Sequence, residues 1–557
     1  MGMQFLCASL PPPSGSGGGG GAWQLATAHY QPAYISPTII HPRPDTDTAG
    51  QAGGNPQSWE RARLAPDGIP WRVPICIYGG AWPFKYQLVS GPAGMSIGQT
   101  YGSTDYGVLS WSSPVIGTYT ITVQVTTQDY GRTGGSADSV GQYTISWTLV
   151  VADHTDVTKF VYLDATNGSD SNNGAYATPW QTLSGFTAAS TNGKQLIFRN
   201  GTYALNVLSS VLDLTSRAKV WIGYPGATVK VDLSGSWSGT NCYIFFNGGT
   251  GSTSGGCSAS NIWFYGTPSN WATVNSSGGY DTYQVNHFGD RGLYYENIFD
   301  SVNGHGVTPT NFSNWSGIAM FANSAMHNYI SCVRNTFQNF SNLYSGGACI
   351  WYSARWALWE GNTVQGFSSP TNVQQGFISK GHVSRCSMRN NTMWVQQGTF
   401  ASPIQGISTG CYFQGQGNDG NQGDNPDQNE TCWNVGFNPP AGNNGVTPGA
   451  AIYGNGTYAS WTGWEYRNTF IGPRWASGAA GFTNTLYSTN NVLLTEHGIE
   501  NDATHYGATN LTLNVSGDVV DIFTNRASVV DSTTGYLLSS YATAHGITIG
   551  TVGHQVQ

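Results

Sequence analysis

Charged residues are the scarcest class in this 557-residue sequence, in which Asp, Glu, Lys and Arg together make up 9%. An ordinary soluble domain carries about 25% charged residues. No cluster of Lys and Arg stands out and the net charge is −8, so the basic surface of a nucleic-acid-binding protein is missing. No run of 18 apolar residues occurs, which excludes an ordinary membrane-spanning helix. We therefore expect no nucleic-acid partner and no membrane span.

Cysteine is also sparse and irregularly placed. The nine cysteines are odd in number, and none of them forms a Cys-x-x-Cys pair or a zinc-type spacing. We therefore expect buried free thiols and no cysteine-based metal site. Cys242 and Cys257 are the one pair that we single out as able to bridge a loop.

Glycine and aromatic residues are, in contrast, abundant. The sequence contains 75 glycines, and Phe, Trp and Tyr make up 13% of it. A disordered chain lacks aromatic residues, and a coiled coil needs Ala, Glu, Lys and Leu, which are scarce here. Gly, Ser, Thr, Asn and aromatic residues suit short strands joined by tight turns. The composition therefore predicts an all-β protein of about two to four domains.

The N-terminal segment does not read as a secretory signal. Residues 1–10 have no basic region and only a short apolar stretch, and they run into prolines and the glycine run 17–21. A protein with this N-terminus that works outside a cell is expected to leave by another route, such as lysis. Residues 1–70 are predicted to be an extended Gly- and Pro-rich arm without a core of its own, either docking on a larger assembly or hanging free.

A second segment, 71–155, alternates apolar and polar residues. The stretches 84–89, 118–125 and 143–150 each have period two, which buries one face of a strand and leaves the other in water. The order of motifs, with Ser-Gly-Pro-Ala-Gly-Met at 90–95 and Val-Leu-Ser-Trp at 108–111, resembles cadherin-like and immunoglobulin-like domains of bacterial and phage surface proteins. That resemblance implies a small β-sandwich acting as a spacer or adhesion unit, without a catalytic motif.

A third pattern begins at residue 159. Phe-Val-Tyr-Leu at 160–163, the turn Asn-Gly-Ser-Asp at 167–170 and Pro-Trp-Gln-Thr-Leu at 179–183 resemble the opening segment of right-handed parallel β-helix proteins of the pectate-lyase-like superfamily. The resemblance implies a solenoid, which we place at 156–500, followed by a β-rich C-terminal cap at 501–557. It does not imply one activity, because this opening segment occurs in lyases, hydrolases and non-enzymatic spikes.

An internal repeat predicts the same architecture independently. Asn-Thr followed by an apolar residue recurs at Asn335, Asn362, Asn391 and Asn468, and the first two spacings are 27 and 29 residues. A period of about 20–30 residues is typical of a solenoid. The residues two after and three before each Asn are mostly apolar, so both are expected inside, which requires a bend near Asn. Stacked coils then align the Asn side chains into a hydrogen-bonded ladder.

Two kinds of chemistry would serve a polysaccharide-cleaving β-helix. Lyases need a base, often Lys or Arg with calcium, and hydrolases need two carboxylates. Lys380 and His382 are expected to share the outer face of one strand, and Arg385 follows, which makes these three the lyase candidates. The alternative is a solvated lysine and a hydrogen-bonded surface histidine.

The carboxylate candidates are spread along the repeat. Glu296 and Asp300 are two of them. Glu360 lies two residues before its Asn and Arg389 occupies the same position one coil later, so the alternative to catalysis is a surface ion pair. Glu465 aligns with inward positions of other coils, where burial would raise its pKa unless the register shifts.

Calcium and aromatic groups complete the candidate site residues. Asp424, Asp427 and Glu430 have a spacing compatible with Ca²⁺, although the sequence requires no cofactor. Several aromatic residues crowd together in two places and are glycan-binding candidates, because alternation cannot bury them all. The alternative role is core or subunit-interface packing. These residues are Trp351, Tyr352, Trp356, Trp359, Trp461 and Trp464.

The whole arrangement resembles bacteriophage tailspikes and fibres, in which an N-terminal arm and an adaptor domain mount a β-helix on the virion. The resemblance implies a virion protein that contacts host-surface polysaccharide, binds other virion proteins through its arm and forms a homotrimer. A polysaccharide lyase or glycoside hydrolase, free or virion-borne, is the second hypothesis. A bacterial surface adhesin, secreted or cell-surface, is the third.

Overall fold

A computed structural model describes the chain from residue 37 to residue 544 with gaps. The described ranges are 37–47, 55–80, 82–100, 103–127, 142–205, 212–235, 242–247, 255–266, 282–300, 315–320, 327–339, 346–352, 354–365, 374–380, 384–394, 407–416, 429–432, 435–437, 451–455, 460–466, 469–472, 483–489, 492–495, 511–516, 519–522 and 538–544. Strands dominate these ranges, so the all-β expectation is confirmed. The two helices in them are short, at Leu183–Ala188 and Ser539–Ala544.

Residues 37–152 form an N-terminal module of three small sheets. The first sheet has the order Leu64–Pro66, Gln142–Ala152, Gly117–Thr126 and Lys85–Ser90. The second has the order Trp71–Pro74, Val108–Trp111 and Met95–Ile97, and the third pairs Thr38–His41 with Cys76–Tyr78. The first two sheets share one apolar core, to which Trp71 and Trp147 contribute fully buried rings. Alternation explains this packing, since Ile121, Val123 and Val125 are buried while their sequence neighbours are not.

The rest of the described chain is a parallel β-helix, in which each coil contributes one strand to each of up to three sheets. Sheet 1 contains Phe160–Leu163, Gln195–Phe198, Val220–Gly223, Ser258–Ser260, Leu293–Tyr295, His327–Val333, Ala354–Glu360, Ser384–Arg389, Asn429–Cys432, Ser460–Tyr466, Thr483–Thr489 and Leu511–Ser516. Sheet 2 contains Gly201–Ala204, Val229–Asp232, Trp263–Tyr265, Ile298–Asp300, Thr336–Gln338, Thr363–Gln365, Thr392–Trp394, Val435–Phe437, Thr469–Gly472, Val492–Thr495 and Val519–Ile522. Sheet 3 contains Leu212–Asp213, Cys242–Asn247, Thr282–Phe288, Trp315–Met320, Gly346–Tyr352, Gln374–Lys380, Ile407–Gln416 and Ala451–Asn455.

The parallel sheets extend past the predicted boundary at residue 500. Leu511–Ser516 pairs in parallel with Thr483–Thr489, and Val519–Ile522 pairs with Val492–Thr495. These late strands therefore belong to the solenoid rather than to a separate cap. The helix Ser539–Ala544 follows them.

Side chains from successive coils stack inside the solenoid. Phe264, Phe299 and Phe337 hold equivalent positions on sheet 2, with ring centroids 5.0 Å apart and planes within 12° of parallel. This spacing is close to the distance between neighbouring strands, so each ring lies on the one below. Cys257, Cys332 and Cys386 are free thiols in the described interior, which leaves Cys257 outside any disulfide with Cys242.

The predicted asparagine ladder is present. The side-chain N–H of Asn297 donates to Asn335 Oδ1 at 3.0 Å, Asn335 donates to Asn362 Oδ1 at 3.1 Å, and Asn362 donates to Asn391 Oδ1 at 3.0 Å. Each receiving oxygen also accepts the backbone N–H of the Asn before it. All four side chains are buried, so the ladder satisfies polar groups that would otherwise be costly inside the coil.

The predicted bend near each ladder Asn is present, at the residue directly before it. The left-handed backbone belongs to the residue before each ladder Asn, at Glu296, Arg334, Gly361 and Asn390, where φ lies between 53° and 65°. The four ladder asparagines themselves have no positive φ. The bend still does what the pattern required, since Cys332, Trp359, Phe337 and Val364 all point into the interior.

The N-terminal module packs along the outer face of sheet 1. Leu64 and Ile69 join Phe160, Tyr162 and Ile222 in one buried cluster. Farther along, Leu293, Tyr295, Val333 and Leu358 belong to the module's own core. The module therefore covers sheet 1 from its first strand to the strand that ends at Arg389.

Part of the predicted N-terminal arm belongs to this module. Ile39 and Ile40 are fully buried, and Thr38–His41 is paired with Cys76–Tyr78. Arg43 is buried too, forms an ion pair with Asp47 at 2.7 Å and lies 4.1 Å from the centroid of the Tyr329 ring. Residues 37–47 and 55–70 are therefore not an extended arm without a core, and the arm prediction is restricted to 1–36, outside the described residues.

Candidate functional site

The outer face of sheet 2 is a partly exposed side of the solenoid whose side chains are well described. Residues along each strand alternate between the interior and the outside. Val231, Phe264, Phe299 and Phe337 point inward, so their neighbours point outward. We call these outward residues the sheet-2 face; they are Lys230, Asp232, Trp263, Tyr265, Asp300 and Gln338.

The strand register aligns the sheet-2 face in two columns. Asp232, Tyr265, Asp300 and Gln338 are partners in successive coils, and Lys230 is the partner of Trp263. Neighbouring strands lie about 4.8 Å apart, so Asp232 and Asp300 are separated by about 9.5 Å between Cα atoms. Two carboxylates and two aromatic rings are thus brought to one face.

Asp300 is the best-connected side chain of this face. Its Oδ2 accepts Trp263 Nε1–H at 3.3 Å and Gln338 Nε2–H at 2.7 Å, while its Oδ1 accepts Asn339 Nδ2–H at 2.8 Å. The residue is 1% exposed. Asp300 therefore fixes the positions of an indole and two amides that are themselves half-buried.

The aromatic pair is held by the neighbouring lysine. The Trp263 and Tyr265 rings lie 5.3 Å apart at 86°, an edge-to-face arrangement. Lys230 Nζ lies 3.3 Å from the centroid of the Tyr265 ring and 5.2 Å from that of Trp263, which are cation–π distances. All three side chains are half-exposed. The result is a stiff patch of apolar ring surface beside acceptor groups, which is the combination that a sugar ring binds.

Several residues predicted from the sequence lie instead at the interface between sheet 1 and the module. Glu360 Oε2 accepts Arg389 Nε–H at 2.8 Å, and the Arg389 side chain is fully buried. Arg389 also donates to the backbone oxygens of Ile77 and Gly79. The expected vertical ion pair therefore exists, but it anchors the module rather than lying on a free surface.

Trp356 and Arg385 meet in the same region. Both have a left-handed backbone, with φ of 51° and 54°. The Trp356 ring stacks on the Tyr329 ring with 5.0 Å between their centroids. The Arg385 guanidinium lies 5.2 Å from the centroid of the Trp356 ring. Trp359, in contrast, is fully buried in the solenoid interior, so it is not available to a glycan.

The lyase candidates do not share one sheet. Lys380 ends the sheet 3 strand Gln374–Lys380, whereas Arg385 lies on the sheet 1 strand Ser384–Arg389. His382 lies outside the described residues. Trp351 and Tyr352 end the preceding sheet 3 strand, Gly346–Tyr352. Tyr352 is the register partner of Lys380.

The remaining candidates are placed by register alone. Glu465 is the register partner of Thr431, which in turn is the register partner of Met388. Trp464 is the partner of Glu430 on sheet 1, and Trp461 lies three residues earlier on the same strand.

The calcium candidates are only partly described. Asp424 and Asp427 lie outside the described residues. Glu430 is fully buried, accepts the Ser387 hydroxyl and lies 3.7 Å from Arg389 NH1, so its carboxylate is already paired within the protein. A separate group, Asp67, Asp153 and His154, brings potential ligand atoms within 4.8 Å of one another, and Asp67 Oδ1 is 2.8 Å from His154 Nδ1.

Trp263 and Tyr265 were missed from the sequence. The signal in the sequence was the segment Trp263-Phe-Tyr265, whose three aromatic residues in succession place rings on both faces of a strand. Only the register with Lys230 and Asp300 shows that two of the three rings join a polar face.

Comparisons with known proteins found similarity to solved structures, and that similarity is low. No family model and no curated protein matches the chain. Among solved structures, a rhamnogalacturonan lyase shares 12% identity with a TM-score of 0.37, covering 71% of this chain and 99% of its own. A pectate lyase shares 13% with a TM-score of 0.28, covering 68% and 84%, and the catalytic domain of a GH87 α-1,3-glucanase shares 10% with a TM-score of 0.26, covering 82% and 83%.

These three proteins carry names of polysaccharide-cleaving enzymes. Their identities and TM-scores are too low to transfer residues or chemistry to this chain. Helices long and apolar enough to cross a membrane are not found in the described ranges.

Proposed function

We propose that this protein recognises an extended polysaccharide along the sheet-2 face of its β-helix. The observation that supports the proposal is the arrangement of Trp263 and Tyr265 beside the Asp300 hydrogen-bond network. A row of strands offers equivalent positions about every 4.8 Å, which suits a polymer lying across several coils better than a small metabolite. Aromatic ring faces bind the apolar faces of sugars, and fixed polar groups bind their hydroxyls.

Cleavage of that polysaccharide is the finer proposal that we favour over a purely structural role. Asp232 and Asp300 lie in one column of the face, about 9.5 Å apart between Cα atoms. Inverting glycoside hydrolases hold their two carboxyl groups about 6.5–9.5 Å apart, to leave room for a water molecule. Two side chains that leave one column of a sheet in the same direction are separated by about as much as their Cα atoms. In this role Asp232 would serve as the more accessible base, and Asp300 would serve as the acid after taking up a proton. Asp300 would need a shift of Trp263 or Gln338 to reach the substrate.

The setting in which the protein works is a further proposal. We propose a bacteriophage tailspike or fibre whose segment 1–36 contacts other virion proteins and whose assembly is a homotrimer. In this proposal the N-terminal module is an immunoglobulin-like adaptor and the solenoid is right-handed. The basis is the order of segments in the sequence, and a secreted enzyme or a bacterial surface adhesin is the alternative. Light scattering of the purified protein tests the trimer, and a monomer would contradict it.

Incubation with polysaccharides separates binding from cleavage. The full-length protein is mixed with capsular, lipopolysaccharide and plant cell-wall preparations, and retardation of the protein in polysaccharide-containing native gels is measured. Unsaturated ends that absorb ultraviolet light would identify a lyase, and new reducing ends without that absorbance would identify a hydrolase. We expect binding and reducing ends.

Two variants locate the activity. Asp232→Asn and Asp300→Asn should each lower the release of reducing ends at least about 100-fold if the pair acts in cleavage. The matched control is Asp213→Asn on sheet 3, because Asp213 and Asp232 each accept the N–H and hydroxyl of the residue two positions later. Binding without any cleavage would leave recognition and remove the enzyme proposal. Absence of binding to every preparation would overturn both.

A further inference from the structure

We infer that the ligand of the sheet-2 face is an uncharged polysaccharide, recognised through its hydroxyl groups, rather than a polymer of uronic acids. This inference rests on the proposed function, and it names the chemical class of the ligand. It follows from which atoms the face presents. Three features carry it: the orientation of the amides around Asp300, the carboxylate of Asp232, and the position of Lys230.

The amide orientation is fixed by Asp300. Gln338 Nε2–H donates to Asp300 Oδ2 at 2.7 Å and Asn339 Nδ2–H donates to Asp300 Oδ1 at 2.8 Å, so both amides turn their N–H groups toward this side chain. The indole N–H of Trp263 is directed to the same carboxylate. The N–H donors of these three side chains therefore point toward Asp300. The carbonyl oxygen of the Asn339 amide therefore points away from Asp300.

Asp232 adds a second acceptor. Its Oδ1 accepts the backbone N–H of Ser234 at 2.9 Å and the Ser234 hydroxyl at 2.6 Å, which fixes the carboxylate in place. The side chain is half-exposed and lies one strand from Tyr265. A sugar hydroxyl can donate to such an oxygen, whereas a sugar carboxylate has no proton to donate at neutral pH.

The one cation of the described sheet-2 face is already engaged. Lys230 Nζ lies 3.3 Å from the Tyr265 ring centroid, where the ring quadrupole holds it. The face, as defined by its six residues, thus carries two carboxylates against one ammonium group. A polyuronate would bring further negative charge to Asp232 and Asp300, and its approach would be opposed electrostatically.

Three matched pairs of polymers test the inference. Galactomannan, β-1,3-glucan and β-1,4-galactan are each compared with the same polymer after oxidation of its primary hydroxyls to carboxylates. Each pair keeps its backbone and linkage and differs only in charge. Dissociation constants for the full-length protein are measured by affinity gel electrophoresis at neutral pH and low salt. For whichever polymer binds, we expect oxidation to weaken binding at least about tenfold.

Salt and two variants show whether the face causes the discrimination. We call the factor by which oxidation weakens binding the oxidation penalty. Raising the ionic strength should reduce this penalty, because repulsion between exposed charges is screened. Asp232→Asn should reduce the penalty by at least about threefold, because it removes one repelling charge. Lys230→Gln should increase it. Asp213→Asn, with the same local hydrogen bonds on sheet 3, should leave it unchanged.

Each outcome decides between the claims. Equal or tighter binding of the oxidised polymers would overturn the inference while leaving polysaccharide recognition intact. The inference would also be overturned if oxidation weakened binding equally in Asp232→Asn and in the wild-type protein. The discrimination between neutral and oxidised polymers would then arise elsewhere in the molecule. If neither form of any polymer binds, the proposed function fails with it.

Discussion

At the scale of single residues, two buried histidines stand apart from the candidate site. His287 Nδ1 lies 2.9 Å from the Tyr294 hydroxyl, and its Nε2 lies 2.9 Å from the carbonyl oxygen of Gly289. His327 Nδ1 accepts the backbone N–H of Gly289 at 3.2 Å. Burial lowers the pKa of His287 to about 4 and that of His327 to about 3. Both imidazoles are therefore neutral in the folded protein at any mild pH.

These pKa values predict a loss of stability in mild acid. In the unfolded chain each histidine takes up a proton below about pH 6.5, while the folded state resists protonation until about pH 4. The folded state therefore keeps its full stability above about pH 6.5. It loses about 1.4 kcal/mol per pH unit for each histidine as the pH falls below that value. Urea unfolding at pH 7.5, 6 and 5 measures the slope.

A variant isolates the histidine contribution to that slope. His327→Gln keeps an acceptor for the Gly289 N–H and removes the titrating group, so the decline between pH 6.5 and 5 should be shallower. The control is His154→Gln, which changes a half-exposed histidine at the end of the N-terminal module. If the His327→Gln and wild-type proteins lose stability in parallel, burial of this imidazole does not set the pH dependence.

At the scale of the coil, the asparagine ladder is the element that the sequence predicted most completely. The repeat spacings of 27 and 29 residues matched successive coils, and the inward positions around Asn335 and Asn362 were assigned correctly. The bend that the pattern required near each Asn is present as well, at the residue before it. Bending and stacking fall on neighbouring residues, so that Arg334 has the left-handed backbone and Asn335 supplies the stacking amide.

Removing one member of the ladder should destabilise the solenoid strongly. Asn362→Ala leaves the backbone N–H of Asn335 and the carbonyl of Cys332 without their partner inside the coil. Each unsatisfied buried group costs about 1–3 kcal/mol, so the free energy of unfolding should fall by about 2–5 kcal/mol. Asn192→Ala, at an exposed turn, should change it by less than about 0.5 kcal/mol. Equal effects of the two substitutions in chemical denaturation would contradict a structural role for the ladder.

At the scale of the whole molecule, the module and the solenoid share their cores. Arg291 on the solenoid donates to Glu60 of the module at 2.8 Å, and both side chains are at least nine-tenths buried. Arg334 reaches the backbone oxygens of Thr104 and Tyr106 in the same way. The module therefore occupies part of the outer face of sheet 1, which leaves that part unavailable to a ligand.

This docking predicts that the two parts unfold together. Glu60→Met leaves the Arg291 guanidinium buried without its counter-ion, which should cost about 3–5 kcal/mol. The double variant Glu60→Met, Arg291→Met removes both charges and should recover most of that loss, because two apolar side chains can fill the space. Calorimetry should show one transition in each case. Two separate transitions in the wild-type protein would contradict a shared core.

The docking also explains why the candidate site was harder to predict than the fold. Alternation and repeat length are local properties, so the strands, the parallel solenoid and the ladder could be read from the sequence. Which outer face is covered depends on contacts between residues far apart in the chain. Glu360 and Trp356 were therefore assigned to a free surface although they lie where the module packs, while the half-exposed Trp263 and Tyr265 of sheet 2 were overlooked.

The central claim is that the sheet-2 face holds the polysaccharide, and the affinity of an aromatic variant tests it most directly. The dissociation constant for the best-binding polysaccharide is measured for the wild-type protein, for Trp263→Ala and for Tyr143→Ala, a half-buried aromatic of the module. Loss of the indole should weaken binding at least about tenfold, or about 1.4 kcal/mol, while Tyr143→Ala binds as the wild type. Unchanged affinity in a correctly folded Trp263→Ala protein would contradict the claim and place the binding surface on another part of the solenoid.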